Sequence, residues 1–184
     1  MKALAAGSGF TLIELMVTLA VAAVILATAV PSFQTLMVNN RLATQSNQLV
    51  TALNLARSEA VKRNTLVTVC KSANPTATPP ACTTAGNWEQ GWVVFTDGDT
   101  VGTIDGNDTV IRVFDRMNGT TLRGVGNFTS WISYRSSGVS RGDTPAGSPL
   151  ANGTFRLCSG GAGSQGRNIV VNVTGRLRVE NVTC

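Results

Sequence analysis

The chain opens on a run of apolar residues, Phe10 to Val30, broken by one charge, Glu14, and by three threonines, Thr11, Thr18 and Thr28. A helix rises about 1.5 Å per residue, so this run is long enough to cross a bilayer. A helix at the surface of a soluble protein would carry a polar stripe here, and none is present. After Pro31 the pattern becomes amphipathic without stopping. Phe33, Leu36, Met37, Leu42, Leu49, Leu53, Ala56, Ala60 and Val61 recur at helical spacing up to about Asn64. This stripe reads as core packing that supports a sheet.

Beyond the helix the period changes to that of strands. Thr65–Cys70, Trp92–Thr96, Thr109–Phe114, Thr121–Leu122, Trp131–Tyr134, Thr154–Cys158, Asn168–Val173 and Arg176–Val182 read as strands. Asn74–Pro80 reads as a loop. Asn118-Gly119 and Asn152-Gly153 read as tight hairpin turns, because Asn-Gly accepts positive φ. The expected fold class is α+β, a long N-terminal helix with a hydrophobic first half, packed on an antiparallel β-rich head. Trp131, Tyr134 and Phe128 lie in strand-like runs and are assigned to the core, although such rings can stack on single-stranded bases.

Composition changes this picture in three ways. Histidine is absent, which removes the usual general base, most zinc sites and any Ser-His or Cys-His nucleophile pair. No catalytic constellation, cofactor or metal site is expected. Charge is segregated within a net +5: Lys71 to Ile111 carries one lysine against five acids, whereas Arg112 to the end carries nine arginines against three acids. Arginine forks suit phosphate or carboxylate, so a polyanion partner enters consideration. The four cysteines, Cys70, Cys82, Cys158 and Cys184, allow three connectivities. Cys70–Cys82 and Cys158–Cys184 are preferred, because each closes a local loop rich in Pro or Gly.

Other motifs are weaker. Asp97, Asp99, Asp105, Asn107 and Asp108 have a composition that suits calcium, but not the spacing of an EF-hand loop; Asp and Asn with Gly also simply make turns. Gly161 to Gly166 matches G-x-G-x-x-G by letters but leads into a strand, where a nucleotide site needs a helix.

Three readings compete for the N-terminus. Lys2 and Ala27-Thr28-Ala29 fit an ordinary secretory signal, and the apolar run fits a simple anchor, but both leave Glu14 unexplained. A carboxylate in hydrocarbon costs at least about 2.5 kcal/mol on insertion scales and calls for a partner. Gly9-Phe10-Thr11-Leu12-Ile13-Glu14 resembles the class III signal of type IV prepilins and pseudopilins. The resemblance implies a leader over 1–9 removed by prepilin peptidase after Gly9, N-methylation of Phe10, and Glu14 paired with the terminal amine of a neighbouring subunit. It also implies that Pro31 sits where a helix break is tolerated.

The resemblance extends to the GspH/FimT/FimU branch of that superfamily. It is carried by Asn39-Asn40-Arg41, Ala56-Arg57-Ser58-Glu59-Ala60, Trp88 to Asp97 and Gly175-Arg176-Leu177-Arg178. The organisation it implies is a leader, 1–9; a transmembrane and filament-core half-helix, 10–30; an amphipathic half-helix, 31–64; and a β-rich head, 65–184. The implied product is a minor pilin of a type IV pilus, held in the bacterial inner membrane with its head in the periplasm and then moved into a filament. Its partners would be other pilins or pseudopilins, prepilin peptidase and the inner membrane. The alternative is a GspH-type minor pseudopilin of type II secretion. Gly175, Arg176 and Arg178 resemble the Gly-Arg-x-Arg tail of DNA-binding FimT minor pilins, which implies DNA as a further partner; Arg167, just before the preceding strand, is added to them by its position. Strand residues two apart share a face, so Arg176 and Arg178 are expected to project together.

Overall fold

The computed structural model describes residues 9–143 and 151–184. It has two units: one runs through Asn40 and the other covers Arg41–Cys184. One helix, α1 (Leu12–Arg63), contributes to both. It runs on through Pro31, where the resemblance implied that a break is tolerated; proline removes one N–H from the ladder, and the helix continues through it. Asn64, at φ 51°, ends the helix in the left-handed conformation that asparagine tolerates.

In the second unit the helix buries Leu42, Gln45, Ser46, Leu49, Ala52, Leu53, Ala56 and Ala60, the i, i+3, i+4 spacing of one face. The stripe is shorter than its sequence pattern. Phe33, Leu36, Met37 and Val61 are exposed, and Gln45 and Ser46 occupy core positions. Gln45 is satisfied there, since its amide donates to the Asn118 carbonyl at 3.0 Å and its oxygen accepts the Thr120 hydroxyl.

Among the described residues nine strands form two antiparallel sheets. The first has the order β3 (Val110–Phe114), β2 (Trp92–Thr96), β1 (Val67–Lys71), β5 (Trp131–Tyr134), β6 (Ser140–Gly142). The second has the order β4 (Thr121–Gly126), β7 (Gly153–Cys158), β8 (Gln165–Val171), β9 (Leu177–Thr183). In β1, Val67 and Val69 alternate with Thr68 and Cys70. The second pair faces a cluster with Val93 and Phe95, closed over by Cys82, Ile104 and Trp131. The central strand is buried throughout, because both of its faces are covered. In the second sheet Leu122, Phe155, Leu157, Ile169 and Val171 are buried. Phe155 stacks on Phe128 and meets Trp88 edge-on, at centroid distances of 5.4 and 4.9 Å. Phe128 and Tyr134 are fully buried, as their assignment to the core requires.

The turns depart from the sequence reading. Asn118-Gly119 joins β3 to β4, which lie in different sheets, so it makes a crossing and not a hairpin. Asn152-Gly153 simply leads into β7. Left-handed glycines do occur in real hairpins, among them Gly138, between β5 and β6, and Gly175, between β8 and β9, at φ 78° and 75°. Each follows a tight turn, with Gly138 N–H donating to Arg135 and Gly175 N–H to Asn172, both at 2.8 Å. Strand β6 was not anticipated: Ser-Arg-Gly has neither alternation nor branched residues, and it is a strand because β5 offers it an edge.

Both local disulfides are formed, Cys70–Cys82 and Cys158–Cys184. The second ties the end of β9 to β7 across the intervening β8.

Candidate functional site

At the N-terminal end Gly9 and Phe10 precede the helix and are exposed; residues 1–8 of the expected leader lie outside the described residues. Thr11 caps the helix: its hydroxyl oxygen accepts the Glu14 N–H at 3.3 Å, and its carbonyl accepts the Leu15 N–H at 3.1 Å. Thr-x-x-Glu is the sequence form of a capping box, a local signal that places Glu14 in the first turn apart from any role in assembly. The other two hydroxyls of the apolar run are satisfied within the helix, Thr18 by the Leu15 carbonyl at 2.9 Å and Thr28 by the Ile25 carbonyl at 3.0 Å. Hydroxyls bonded to their own backbone are tolerated in an apolar medium. Among the described residues no ion pair involves Glu14. Its side chain is exposed.

At the other end Gly175, Arg176 and Arg178 sit where β8 turns into β9. Arg176 lies just ahead of the strand, with its carbonyl accepting the Asn172 N–H at 3.1 Å and its amide donating to Asn172 Oδ1 at 2.9 Å. This pairing continues the β8–β9 register, in which Val170 faces Arg178, so Arg176 and Arg178 share the outer face. Both are exposed, and with Val170, Asn172 and Leu177 they line an open groove of 390 Å³. Arg178 pairs with Glu180 at 2.6 Å, an exposed pair of the kind worth about 0–1 kcal/mol. Among the described residues no salt bridge engages Arg176.

The same face carries Arg123 and Arg156, opposite one another on β4 and β7. Arg123 is paired with Glu89, and Arg156 donates to Asn168 at 3.4 Å. Arg167 does not join this face, contrary to expectation. It lies inside β8, two residues before Ile169, on the inward side, and its guanidinium reaches Ser46 of α1 at 3.5 Å. The period of two that unites Arg176 and Arg178 also puts Arg167 on the opposite surface from them.

The acidic segment between β2 and β3 is organised by its own backbone. Asp108 accepts N–H groups from Gly98 and Asp105, at 2.9 and 3.2 Å. Asp97 accepts the Gly102 N–H at 2.8 Å and the Thr68 hydroxyl at 2.5 Å. Burial, together with the neighbouring Asp108 and Asp105 charges, holds the Asp97 carboxyl above its ordinary range in spite of those bonds. Among the described residues no three Asp, Glu, Cys or His side chains converge as a metal would require. The Gly161–Gly166 letters lead into β8, with no helix to receive a pyrophosphate.

Comparison with known proteins bears on the family and the fold. Residues 45–175 match the family model described as Type II transport protein GspH, and residues 6–30 match the prokaryotic N-terminal methylation motif. No curated protein sequence matches the chain. A crystal structure of the type IV minor pilin FimU of Pseudomonas aeruginosa (strain PAO1) is similar, with a TM-score of 0.56 at 18% identity. That alignment covers 77% of this chain and 90% of that one. A second crystal form of the same pilin gives a TM-score of 0.51 at 16% identity, covering 76% and 92%. At such identities the likeness is one of fold: a long apolar helix followed by antiparallel sheets. The family match ends at Gly175, so Arg176 and Arg178 fall outside it.

Proposed function

Since the chain belongs to the GspH family of type II transport proteins and carries the prokaryotic N-terminal methylation motif, we propose that it is a minor pilin of a type IV pilus that binds DNA through its Arg176–Arg178 face. Membership makes it a minor pilin or pseudopilin of a type IV pilus or type II secretion system, a structural subunit and not an enzyme. It implies processing by prepilin peptidase, anchorage of the apolar helix in the inner membrane, and assembly with other pilins into a filament. The processing residues in this reading are Gly9 and Phe10, and Glu14 is the assembly residue. An unpaired carboxylate in an apolar helix is neutralised well by the terminal amine of a neighbouring subunit.

The DNA reading rests on one observation: two exposed arginines project from one edge of one face, and Arg176 has no carboxylate partner among the described residues. Residues two apart in a strand are separated by about 7 Å, a spacing that lets two guanidinium forks meet neighbouring phosphates. Contact of this kind is phosphate-led, tolerant of sequence and steeply dependent on salt. The test is titration of the full chain, in uncharged detergent micelles, with single- and double-stranded oligonucleotides across a salt series. The wild type binds, and the double variant Arg176→Gln/Arg178→Gln loses affinity and flattens the duplex salt slope by about two phosphate contacts. Absence of binding at low salt, or equal binding by the double variant, overturns the DNA role.

A second reading, a pseudopilin of type II secretion, is favoured by the family description itself and by the Arg178–Glu180 pair, since a face of mixed charge also suits a protein partner. Its signature is retention of the chain by other pseudopilins after cross-linking, with no response of that retention to DNA.

A further inference from the structure

Two stretches that stand 118 residues apart in the sequence, around Arg57 and around Gly175, meet in the fold. (The separation of Arg57 from Thr174 is 117.) The Arg57 guanidinium leaves α1 and donates from Nε to the Gly138 carbonyl, and from Nη2 to the Thr174 carbonyl, both at 3.1 Å. Gly138 belongs to the β5–β6 turn of the five-stranded sheet, and Thr174 to the β8–β9 turn of the four-stranded sheet. One planar fork thus ties the corners of two hairpins from different sheets to the helix. A guanidinium presents its donors in a fixed plane, so it can hold two carbonyls at a set separation, which an ammonium cannot do as a point charge.

Gly175 lies buried at the junction. A β-carbon there would stand 2.2 Å from the Gly138 carbonyl oxygen, 3.0 Å from Arg57 Nε and 3.1 Å from the Tyr134 ring. The glycine of Gly-Arg-x-Arg is therefore demanded twice, by its φ of 75° and by the close approach of the other turn. Neither demand involves an anion. The next residue is Arg176, with its amide fixed on Asn172. A hairpin tip without such a tether would let Arg176 sweep a wide arc, and binding would have to order it. Ordering a mobile side chain on binding lowers affinity.

We propose that Arg57 is a positioning residue for the Arg176–Arg178 face: by clamping the two turns it fixes where Arg176 emerges relative to Arg178, without itself contacting the polyanion. The proposal rests on the DNA reading above, but half of it can be tested without DNA.

The experiment uses the full chain in uncharged detergent micelles, as wild type, Arg57→Gln, Arg57→Lys, Arg176→Gln and the double variant Arg57→Gln/Arg176→Gln. Amide hydrogen exchange comes first. Arg57→Gln speeds exchange at Gly138, Gly175 and Arg176 by about tenfold or more, while Leu157 and Ile169 in the sheet core keep wild-type rates. Unchanged exchange at the turns overturns the proposal whatever DNA does, and loss of protection throughout makes Arg57 a general stabiliser and overturns it too. Binding of a duplex oligonucleotide follows. Arg57→Gln weakens it by about two- to tenfold, Arg57→Lys does not restore it, and the double variant binds no more weakly than Arg176→Gln alone. Additive losses overturn the proposal, because they mean that Arg57 acts independently of Arg176. No binding by the wild type removes the DNA reading and the role of Arg57 in it; the exchange result then still decides whether Arg57 orders the turn.

Discussion

Thr68 on β1 donates its hydroxyl to Asp97 Oδ2 at 2.5 Å, at a place where the aspartate is 3% exposed. The bond anchors the start of the acidic loop to the central strand. Burial is nevertheless the largest influence on this carboxyl, and it raises the pKa. A carboxyl that holds its proton more tightly when folded adds stability at low pH, and that contribution is lost as pH rises through the elevated folded pKa. The thermal midpoint of the wild type should therefore fall, relative to Asp97→Asn, as pH is raised from about 4 towards neutrality. The amide keeps an oxygen that accepts from Gly102 and Thr68. Parallel melting curves for the two proteins across that range would contradict the expectation.

Trp88 donates its indole N–H to the Phe128 carbonyl at 3.0 Å in the core of the four-stranded sheet. Trp88→Phe leaves that buried carbonyl unpaired and should cost about 1–3 kcal/mol before any loss of packing against Phe155. Denaturant titration reads the difference as a lower midpoint at an unchanged slope.

The Cys158–Cys184 bond closes a segment whose ends are 26 residues apart and holds the last residue of the chain beside β7. Replacing both cysteines by serine should cost about 3 kcal/mol, because the unfolded chain regains the freedom of that loop. Amide exchange should accelerate first towards the end of β9, near Cys184, whose N–H donates to Ser164 at 2.8 Å.

Glu14, Thr18 and Thr28 are the polar side chains that follow the cap within the apolar half-helix, and the two threonines bond to their own backbone. Thr18→Val and Thr28→Val should leave incorporation into filaments near the wild-type level. Glu14→Ala should leave the subunit in the membrane with its head folded but deplete it from sheared filaments. Immunoblots of membrane and sheared fractions compare the three.

The helix was legible in the sequence because its signals are local. The apolar run Phe10 to Val30 needs no distant partner to declare a helix, and the spacing Leu42, Leu49, Leu53, Ala56, Ala60 shows which face is covered. Phe33, Leu36 and Met37 carry the same period and are exposed, since period states which residues share a face but not what lies opposite them. Gln45 and Ser46 are the converse. Their polarity argues for solvent, yet Asn118, Thr120 and Arg167 supply the bonds that let them enter the core.

By itself the sequence determined the N-terminal segment, the long helix, most of the strands, the preferred cysteine pairs and the shared face of Arg176 and Arg178. Each depends on spacing within a few residues or on short loops. Tertiary structure alone decided that Asn118-Gly119 crosses between sheets, that β6 pairs at all, and that Arg167 turns towards the helix and away from the other arginines. It also decided that Arg57 joins Gly138 to Thr174. Those outcomes depend on which surfaces meet after the chain has closed on itself, and no local period encodes a contact between residues 117 positions apart.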